Sequence, residues 1–287
     1  MLSAFTLVRN AVKLNFPILA TIYSVLGVSD EVVVNVGKSE DRTLALITAI
    51  GDPRIRIIES DWHMSRGDDM LARETQRALD ACRGDWAIYI QADEVLHEDG
   101  ARLLRDAALA YKGDPRVEGL LVNYLHFYGD FDHVATDRRW YRREVRCIRV
   151  GADIRPYQGA QGFRVGPEFR KVRARPTGAV MFHYGWSRPA RALREKLAVT
   201  KQMYPWAAER LEREERRAAL PWIPLIRRFT GTHPRAAQDW IAECAAQPPV
   251  PIEPAKFRAA HLRYYLSDWI ERHTGVRPFE FRNYTVV

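Results

Sequence analysis

The residue of this chain best suited to hold a divalent cation is Asp93, in the sequence Gln-Ala-Asp-Glu at 91–94. It follows an apolar run, 86–90, with the composition of a buried strand. Mg²⁺ and Mn²⁺ prefer carboxylate oxygens, and a carboxylate just past a buried strand is accessible to a ligand. Acids in such a turn can instead cap the next helix. We predict a metal ligand at Asp93 and helix caps at Glu98 and Asp99.

Three further side chains could contact a ligand. His183 lies in an apolar run, 179–186, where a lone histidine is more often a core residue than a ligand. Asp41 follows a strand and a turn, so it could bond a nucleotide or cap the next helix. Arg66 precedes a helix whose N-terminus would suit a diphosphate, although a plain cap explains it equally well. The residues alone leave both interpretations open at each position.

The composition limits the class of partner and the compartment. The formal net charge of +8 suits a polyanion, which can be nucleic acid, an anionic membrane surface or a phosphorylated substrate. Three widely spaced cysteines predict neither a disulfide framework nor a zinc site, which favours a reducing, cytoplasmic setting. The longest apolar run, 16–28, is too short to span a bilayer.

Strand and helix patterns alternate through the first 111 residues. Apolar runs predict strands at 4–8, 31–36, 54–58 and 86–90, and helical spacing predicts helices between and after them. This rhythm predicts a doubly wound α/β sheet, whose ligands bind at the carboxyl ends of the strands. The polar residues expected at those ends are Asn10, the segment 37–41, Asp61 and Asp93.

The second half follows a different pattern. Strands predicted at 119–127, 141–150 and 179–186 lack regular crossover helices between them, which indicates an antiparallel extension of the sheet. From about residue 189 the chain is mostly helical in pattern and is broken by prolines. We therefore predict one α/β domain over 1–190 and a helical C-terminal region over 191–287.

Taken together, these segments resemble the family 2 glycosyltransferases of the GT-A fold. The resemblance is greatest to a bacterial branch in which the usual Asp-x-Asp motif reads Gln-Ala-Asp. The matching stretches are 5–10, 30–34, 41–43, 84–95, 140–144, 161–163 and 183–186. The resemblance implies a GT-A-type, Rossmann-like α/β fold: a mostly parallel sheet with an antiparallel extension, followed by a helical appendage.

The resemblance also implies an activity and a set of site residues. Such an enzyme moves a sugar from a nucleotide-diphosphate sugar to a hydroxyl of a glycan or lipid-linked acceptor, usually with inversion, here in bacterial surface polysaccharide synthesis. Asp93 and His183 would bind Mn²⁺ or Mg²⁺. We predict that the donor is contacted by Val8, Arg9, Asn10, Gly37, Asp41, Arg66, Gln91 and Ala92.

Two departures from the family pattern concern the chemistry. Gln91 stands where the motif has its first acid, so one acidic contact is missing. Gly159 stands where relatives tend to have an acid before the Ala-Gln-Gly-Phe segment, 160–163. We predict Glu144 as the general base because it lies in a matching stretch, although it could simply pair with neighbouring arginines. The other candidates are Asp130, Asp132 and Asp153.

Two other classes of function compete with the enzyme. The missing acids could indicate a catalytically inactive sugar-nucleotide-binding or assembly subunit, and the charge could indicate a nucleic-acid-binding protein. We favour the enzyme, without a nucleic-acid partner. We expect a cytoplasmic protein whose basic C-terminal helices could rest on the anionic inner leaflet through tryptophans, or bury them in helix packing: Trp206, Trp222, Trp240 and Trp269.

Overall fold

The structure is a computed structural model, and it describes residues 1–63, 68–204, 207–209, 212, 219–248 and 250–287. In the first half the strands are β1 Leu2–Val8, β2 Glu31–Gly37, β3 Ile55–Ser60, β4 Trp86–Tyr89 and β5 Glu94–Leu96. Those that follow are β6 Gly119–Tyr128, β7 His133–Ala135, β8 Arg143–Arg149, β9 Ile154–Tyr157, β10 Gly162–Val165, β11 Arg170–Trp186, β12 Ile226–Arg228 and β13 Tyr284–Val286.

The α-helices are α1 Ile18–Leu26, α2 Thr43–Thr48, α3 Asp68–Asp80, α4 Glu98–Ala110, α5 Ala190–Met203, α6 Gln238–Ala245 and α7 Leu262–Thr274. Two 3₁₀ turns, Arg235–Ala237 and Ala259–His261, immediately precede α6 and α7. No helix in the described ranges is long and apolar enough to cross a membrane.

The sheet has the order β3-β2-β1-β4-β8-β6-β11-β10-β9. Its first four strands are parallel, and β8 then runs antiparallel to both β4 and β6. Strand β11 is parallel to β6, while β9 and β10 complete the antiparallel end. The predicted α/β class, with a parallel sheet and an antiparallel extension, is confirmed.

Helices cover both faces of β1, β2 and β4, which is why these strands are mainly apolar without strict alternation. Val34 of β2 packs in one core with Ile22 of α1 and neighbouring strands. Val33, whose side chain points to the opposite face, packs in a second core with Leu79 of α3. Both cores pack against β1 and β4, so the carboxyl ends of these two strands are held rigidly.

The C-terminal region contains the predicted helices and, in addition, two strands. Residues 226–228 form β12, which pairs with β7, and residues 284–286 form β13, which pairs with β11. Each strand has only three residues, too few to show a period in the sequence. The domain boundary at residue 190 stays a prediction.

Candidate functional site

A cavity of about 450 Å³ lies at the carboxyl ends of β1 and β4, and we call it the Asp93 cavity. It brings together seven of the residues that the sequence predicts for the site: Val8, Arg9, Asn10, Gln91, Ala92, Asp93 and His183. Further along the chain, helix α5 contributes Lys196 and Thr200 to its wall. The predicted edge of the sheet therefore carries a cavity of the size of a small-molecule site.

Two of the predicted contacts, Gly37 and Asp41, do not line the Asp93 cavity. Gly37 packs under an indole ring, because a Cβ at this position would lie 2.7 Å from the ring of Trp62. Asp41 does not line the Asp93 cavity; its carboxylate accepts hydrogen bonds from the backbone N–H groups of Thr43, at 2.9 Å, and Lys13, at 2.7 Å. Arg66 lies outside the described residues.

The loops after β1 and β2 are joined by polar contacts. Asn10 adopts a left-handed conformation, with φ 54°, which asparagine tolerates better than most residues. Its side-chain oxygen accepts the backbone N–H of Glu40 at 2.8 Å, and its own N–H donates to Ser39 at 3.0 Å. The guanidinium of Arg9 donates to the carbonyl of Lys38 at 2.8 Å. These contacts shape the rim of the Asp93 cavity.

A buried ion pair holds the turn that carries Asp93. Glu94 and Arg146 are both 0% exposed, and two guanidinium nitrogens of Arg146 donate to the two carboxylate oxygens of Glu94 at 3.1 and 3.0 Å. Glu94 also accepts the hydroxyl of Tyr124 at 2.7 Å and the backbone N–H of Gln91 at 3.0 Å. This carboxylate is fully engaged in fixing the turn, so it is not a ligand.

The carboxylate of Asp93 is surrounded by cationic and imidazole side chains. Its Oδ2 accepts from Nζ of Lys196 at 2.8 Å and from a guanidinium nitrogen of Arg188 at 3.4 Å. Nε2 of His183 lies 3.9 Å from the same oxygen. Burial would raise the pKa of Asp93, but attraction to the cations Lys196 and Arg188 opposes it, and the pKa is held well below its usual range. Asp93 is therefore ionised.

Two histidines face each other across β6 and β11, where His126 pairs in register with His183. Nε2 of His126 lies 2.7 Å from the carbonyl oxygen of Tyr141, which can only accept, so this nitrogen carries a proton. Nδ1 of a neutral His126 must then accept, and it lies 3.0 Å from Nδ1 of His183. His183 therefore carries its proton on Nδ1, and its Nε2 has a free lone pair beside Asp93.

The surroundings of both imidazoles favour the neutral state on which this tautomer assignment depends. Burial lowers the pKa of His126 to about 3 and that of His183 to about 4, so both rings are neutral near pH 7. The imidazole of His183 fits here because residue 185 is a glycine, since a Cβ at that position would lie 2.5 Å from Nε2 of His183. The structure thus holds one unprotonated ring nitrogen at the wall of the Asp93 cavity.

The side chains around Asp93 do not fit a resident divalent cation. Within the described part of the chain, no group of three His, Cys, Asp or Glu residues is placed to share a metal. The Oδ2 that a metal would bind already holds the cations of Lys196 and Arg188. Two unit charges of like sign 4 Å apart repel by about 4 kcal/mol at an effective dielectric constant of about 20. The structure brings Asp93 and His183 together as predicted, but the expected Mn²⁺ or Mg²⁺ is not supported by this geometry.

A second cavity of about 860 Å³ adjoins the first, and we call it the aromatic cavity. Its wall includes five aromatic side chains: Tyr128, Trp140, Tyr141, Trp186 and Trp222. His183 and Trp186 line both cavities, so the free lone pair of His183 lies where the two meet. Neither Trp186 nor His126 is among the residues predicted for the site.

Glu144, the predicted base, lines neither of these two cavities. It is 3% exposed, and its carboxylate accepts the backbone N–H of Val145 at 2.8 Å and the amide of Asn283 at 3.3 Å. Burial raises its pKa. Its role as a base stays a prediction, and the geometry favours His183 for proton transfer.

Comparison with known proteins gives one weak relative. No protein-family model matches the chain. The succinoglycan biosynthesis protein ExoO of Rhizobium meliloti (strain 1021) is 35% identical over 96 residues, which are 33% of this chain and 26% of the relative. The chain therefore matches about a quarter of the length of that curated protein.

Several solved structures show a limited likeness. The structure of S. aureus TarS 1-349 is 15% identical, with a TM-score of 0.42, over 70% of each chain. The same protein in complex with UDP-GlcNAc is 20% identical, with a TM-score of 0.35, over 45% of this chain and 36% of that one. Glucosyl-3-phosphoglycerate synthase from Mycobacterium tuberculosis, with Mn²⁺, UDP and phosphoglyceric acid, is 18% identical, with a TM-score of 0.31, over 44% of this chain and 43% of that one. Likenesses this low assign no function to this chain.

Proposed function

We propose that this chain is a glycosyltransferase that binds a nucleotide-diphosphate sugar in the Asp93 cavity. The sugar passes to a hydroxyl of a glycan or lipid-linked acceptor in the aromatic cavity. The observation that carries this proposal is the junction of the two cavities at His183 and Trp186. The local identity to a succinoglycan biosynthesis protein supports polysaccharide synthesis as the setting.

The lining of each cavity suits its proposed ligand. Of the described residues that line the Asp93 cavity, three are basic, Arg9, Lys13 and Lys196, and these suit a diphosphate. The aromatic cavity offers flat faces of Trp and Tyr with polar edges, a lining that suits the apolar faces of sugar rings. The two linings therefore favour a charged donor on one side and a carbohydrate on the other.

Proton transfer in this proposal uses the lone pair of His183. Its Nε2 accepts the proton of the acceptor hydroxyl, and the oxygen attacks the anomeric carbon of the donor. The bond from that carbon to the diphosphate oxygen breaks, and its electron pair leaves with the nucleoside diphosphate. Attack from the face opposite the leaving group inverts the anomeric centre.

Two bulky substitutions on the same helix test the assignment of the cavities. Thr200→Trp places an indole in the Asp93 cavity, and Ala190→Trp places one in the aromatic cavity. A bound donor at 100 times its Kd stabilises the fold by about 2.7 kcal/mol, a rise in Tm of about 5 °C for a chain of this size. We expect one nucleotide sugar from a UDP, GDP and dTDP panel to give this rise in the wild type and in Ala190→Trp but not in Thr200→Trp.

The same panel separates the competing functions when hydrolysis of the donor is also measured. Slow hydrolysis of the donor, together with faster release of the nucleoside diphosphate when one of a set of methyl hexosides is added, supports a transferase. Ala190→Trp should lose the increase that the hexoside causes. Stabilisation without any turnover favours the inactive binding subunit. If no nucleotide sugar shifts Tm, or if Thr200→Trp keeps the full shift, the Asp93 cavity is not the donor site.

We also propose that helix α7 rests on an anionic membrane. Four apolar side chains at helical spacing lie on its outer face: Leu262, 58% exposed, Tyr265, 38%, Leu266, 59%, and Trp269, 58%. The exposed charged residues just before α7 and in its first turn are basic: Lys256, Arg258 and Arg263. The acids of α7 are engaged elsewhere, since Asp268 and Glu271 pair with arginines. An apolar stripe with basic flanks matches an anionic bilayer surface.

The C-terminal tryptophans that the structure describes differ in their surroundings. Trp269 is on the exposed face, whereas Trp240 packs against Phe131 and Tyr184 and donates to Asn15 at 2.6 Å. Trp222 is half-buried, and Trp206 lies outside the described residues. Helix packing thus accounts for Trp240, and Trp269 is the one of the three described tryptophans that belongs to the proposed membrane surface. The cytoplasmic location stays a prediction.

Sedimentation with lipid vesicles tests the membrane surface. The wild type should pellet with vesicles containing phosphatidylglycerol and much less with phosphatidylcholine alone, because the flanking charges are basic. Leu266→Ser with Trp269→Ser should weaken this binding at least about tenfold, because burying a large apolar side chain contributes about 1.5–3 kcal/mol to the binding free energy. Leu109→Ser, at a leucine 61% exposed on α4, is the matched control. A dimer that the double variant dissociates would show instead that a second copy covers this face.

A further inference from the structure

We infer that the ammonium of Lys196, held beside Arg188, takes the place of a divalent cation and neutralises the diphosphate of the donor as it leaves. The inference rests on the proposed function and deepens it. In this arrangement Asp93 is not a metal ligand. It is the carboxylate that orients Lys196.

The hydrogen bonds of Lys196 leave one donor for a ligand. An ammonium has three N–H groups. Two of them reach Oδ2 of Asp93 at 2.8 Å and the carbonyl oxygen of Gly185 at 3.1 Å. Within the described ranges the third has no assigned acceptor, and the side chain, 24% exposed, lines the Asp93 cavity. A nucleotide in that cavity would meet a cation already fixed in orientation.

Arg188 keeps the local charge positive. Its side chain is 0% exposed and its guanidinium lies 4.8 Å from the ring centre of Phe16. One terminal nitrogen donates to the carbonyl of Leu14 at 2.8 Å, and the other reaches Asp93 at 3.4 Å. Two cations, Lys196 and Arg188, thus share one carboxylate, and the excess positive charge favours an anion over a metal cation at this wall. Arg188 is a positioning residue, because it does not line the cavity.

The remaining acid of the Asp93 cavity does not change this balance. Glu40 lies at the rim, where it pairs with Lys13 at 2.9 Å and with Arg9 at 3.6 Å. Neither of these cations contacts Asp93 in the structure. Among the described residues, the lining of the cavity therefore has three cations against two carboxylates, and Lys196 is the one of these three cations that contacts Asp93.

The chemistry at Lys196 follows from the charge that develops on the leaving group. As the bond from the anomeric carbon to the diphosphate breaks, its electron pair moves onto the diphosphate oxygen. A charge-assisted N–H from Lys196 to this oxygen stabilises the growing negative charge in a partly buried site. The ammonium keeps its proton throughout, so no metal is needed to balance the charge.

The test measures nucleotide binding and turnover in EDTA and, separately, with Mn²⁺. The binding probes are UDP, GDP and dTDP, titrated calorimetrically, and turnover is hydrolysis of the corresponding nucleotide sugars. We expect the wild type to bind one nucleotide and to turn over its sugar equally well in both buffers, within about twofold. We expect Lys196→Met to weaken nucleotide binding by about 10-fold or more, the usual size of a lost charge-assisted hydrogen bond, and Lys196→Arg to weaken it less.

The control is Lys112, a lysine that pairs with an aspartate at the other end of β4. Lys112 pairs with Asp85 at 3.1 Å, just before β4, whereas Lys196 pairs with Asp93, just after it. Lys112→Met removes the same group from an exposed ion pair and should change neither binding nor turnover. If Lys196→Met fails to fold, the comparison of EDTA with Mn²⁺ in the wild type still decides.

The outcomes separate this inference from the proposed function. If the wild type binds and turns over a nucleotide sugar only with Mn²⁺ and loses both in EDTA, the inference is overturned and the transferase stands. Binding by Lys196→Met at wild-type strength in EDTA also overturns it. If the wild type binds no nucleotide in either buffer, the proposed function fails, and the inference falls with it.

Discussion

Replacing Arg146 by methionine is expected to lower the free energy of unfolding by about 3–5 kcal/mol, because it leaves a charged carboxylate buried without its partner. Arg146 and Glu94 are both 0% exposed, so water cannot replace the lost guanidinium. The remaining contacts of Glu94, from Tyr124 and Gln91, are hydrogen bonds from uncharged groups. Urea unfolding followed by tryptophan fluorescence measures the loss.

The double variant distinguishes a buried charge from a packing defect. Glu94→Gln removes the stranded charge, and its amide can still accept the N–H of Gln91 with its oxygen and donate to the hydroxyl oxygen of Tyr124 with its nitrogen. Arg146→Met with Glu94→Gln should therefore recover at least half of the lost stability. Arg170→Met is the control, because Arg170 pairs with Glu118 at 2.7 Å and is 47% exposed. Breaking that pair should cost within about 1 kcal/mol. Additive losses in the double variant would mean that side-chain volume, not charge, sets the cost.

This ion pair links the stability of the fold to the site. The carboxylate of Glu94 fixes the backbone N–H of Gln91, and the backbone of Asp93 accepts the N–H of Tyr184 at 2.9 Å. The turn with Asp93 is therefore tied both to β8, through Arg146, and to β11. A partial loss of this network should displace Asp93 before the protein unfolds globally.

Three of the four parallel strands were predictable because they are buried on both faces. β1, β2 and β4 therefore appear in the sequence as continuous apolar runs, and β2 is buried at all seven positions. β5 has only three residues, and its place is set by pairing with β11, far along the chain. No local pattern in the sequence indicates such a strand.

The site was predictable only where strand ends define it. Asp93 and Asn10 follow β4 and β1 directly, so the rule that ligands bind at carboxyl ends of parallel strands predicts their proximity. Lys196 is 103 residues from Asp93 and lies on a helix whose docking no local pattern reveals. His126 could have been suspected only with the register of β6 and β11 known. For this reason the sequence predicts a metal ligand at Asp93 but not the contact between Asp93 and Lys196.

Replacing His183 by alanine is expected to lower transfer to hydroxyl acceptors by about 10²–10⁴-fold, the usual contribution of a general base. Its Nε2 is the unprotonated nitrogen at the junction of the two cavities, since Nδ1 donates to His126. Azide is a nucleophile that carries no proton, so its glycosylation needs no base. Formation of the glycosyl azide should therefore survive in His183→Ala within about tenfold, measured by mass spectrometry beside hydroxyl transfer.

Variants of His126 test whether the lone pair of His183 is set by the hydrogen-bond chain from Tyr141. His126→Leu removes the acceptor for Nδ1–H of His183, whereas His126→Gln can donate to the Tyr141 carbonyl and accept from His183. Hydroxyl transfer should fall about 10-fold or more in His126→Leu and less in His126→Gln, with azide transfer intact in both. Glu144→Gln, at a carboxylate outside both cavities, should change neither reaction. Equal losses of hydroxyl and azide transfer in His183→Ala would assign His183 to donor binding, and a selective loss of hydroxyl transfer in Glu144→Gln would make Glu144 the base.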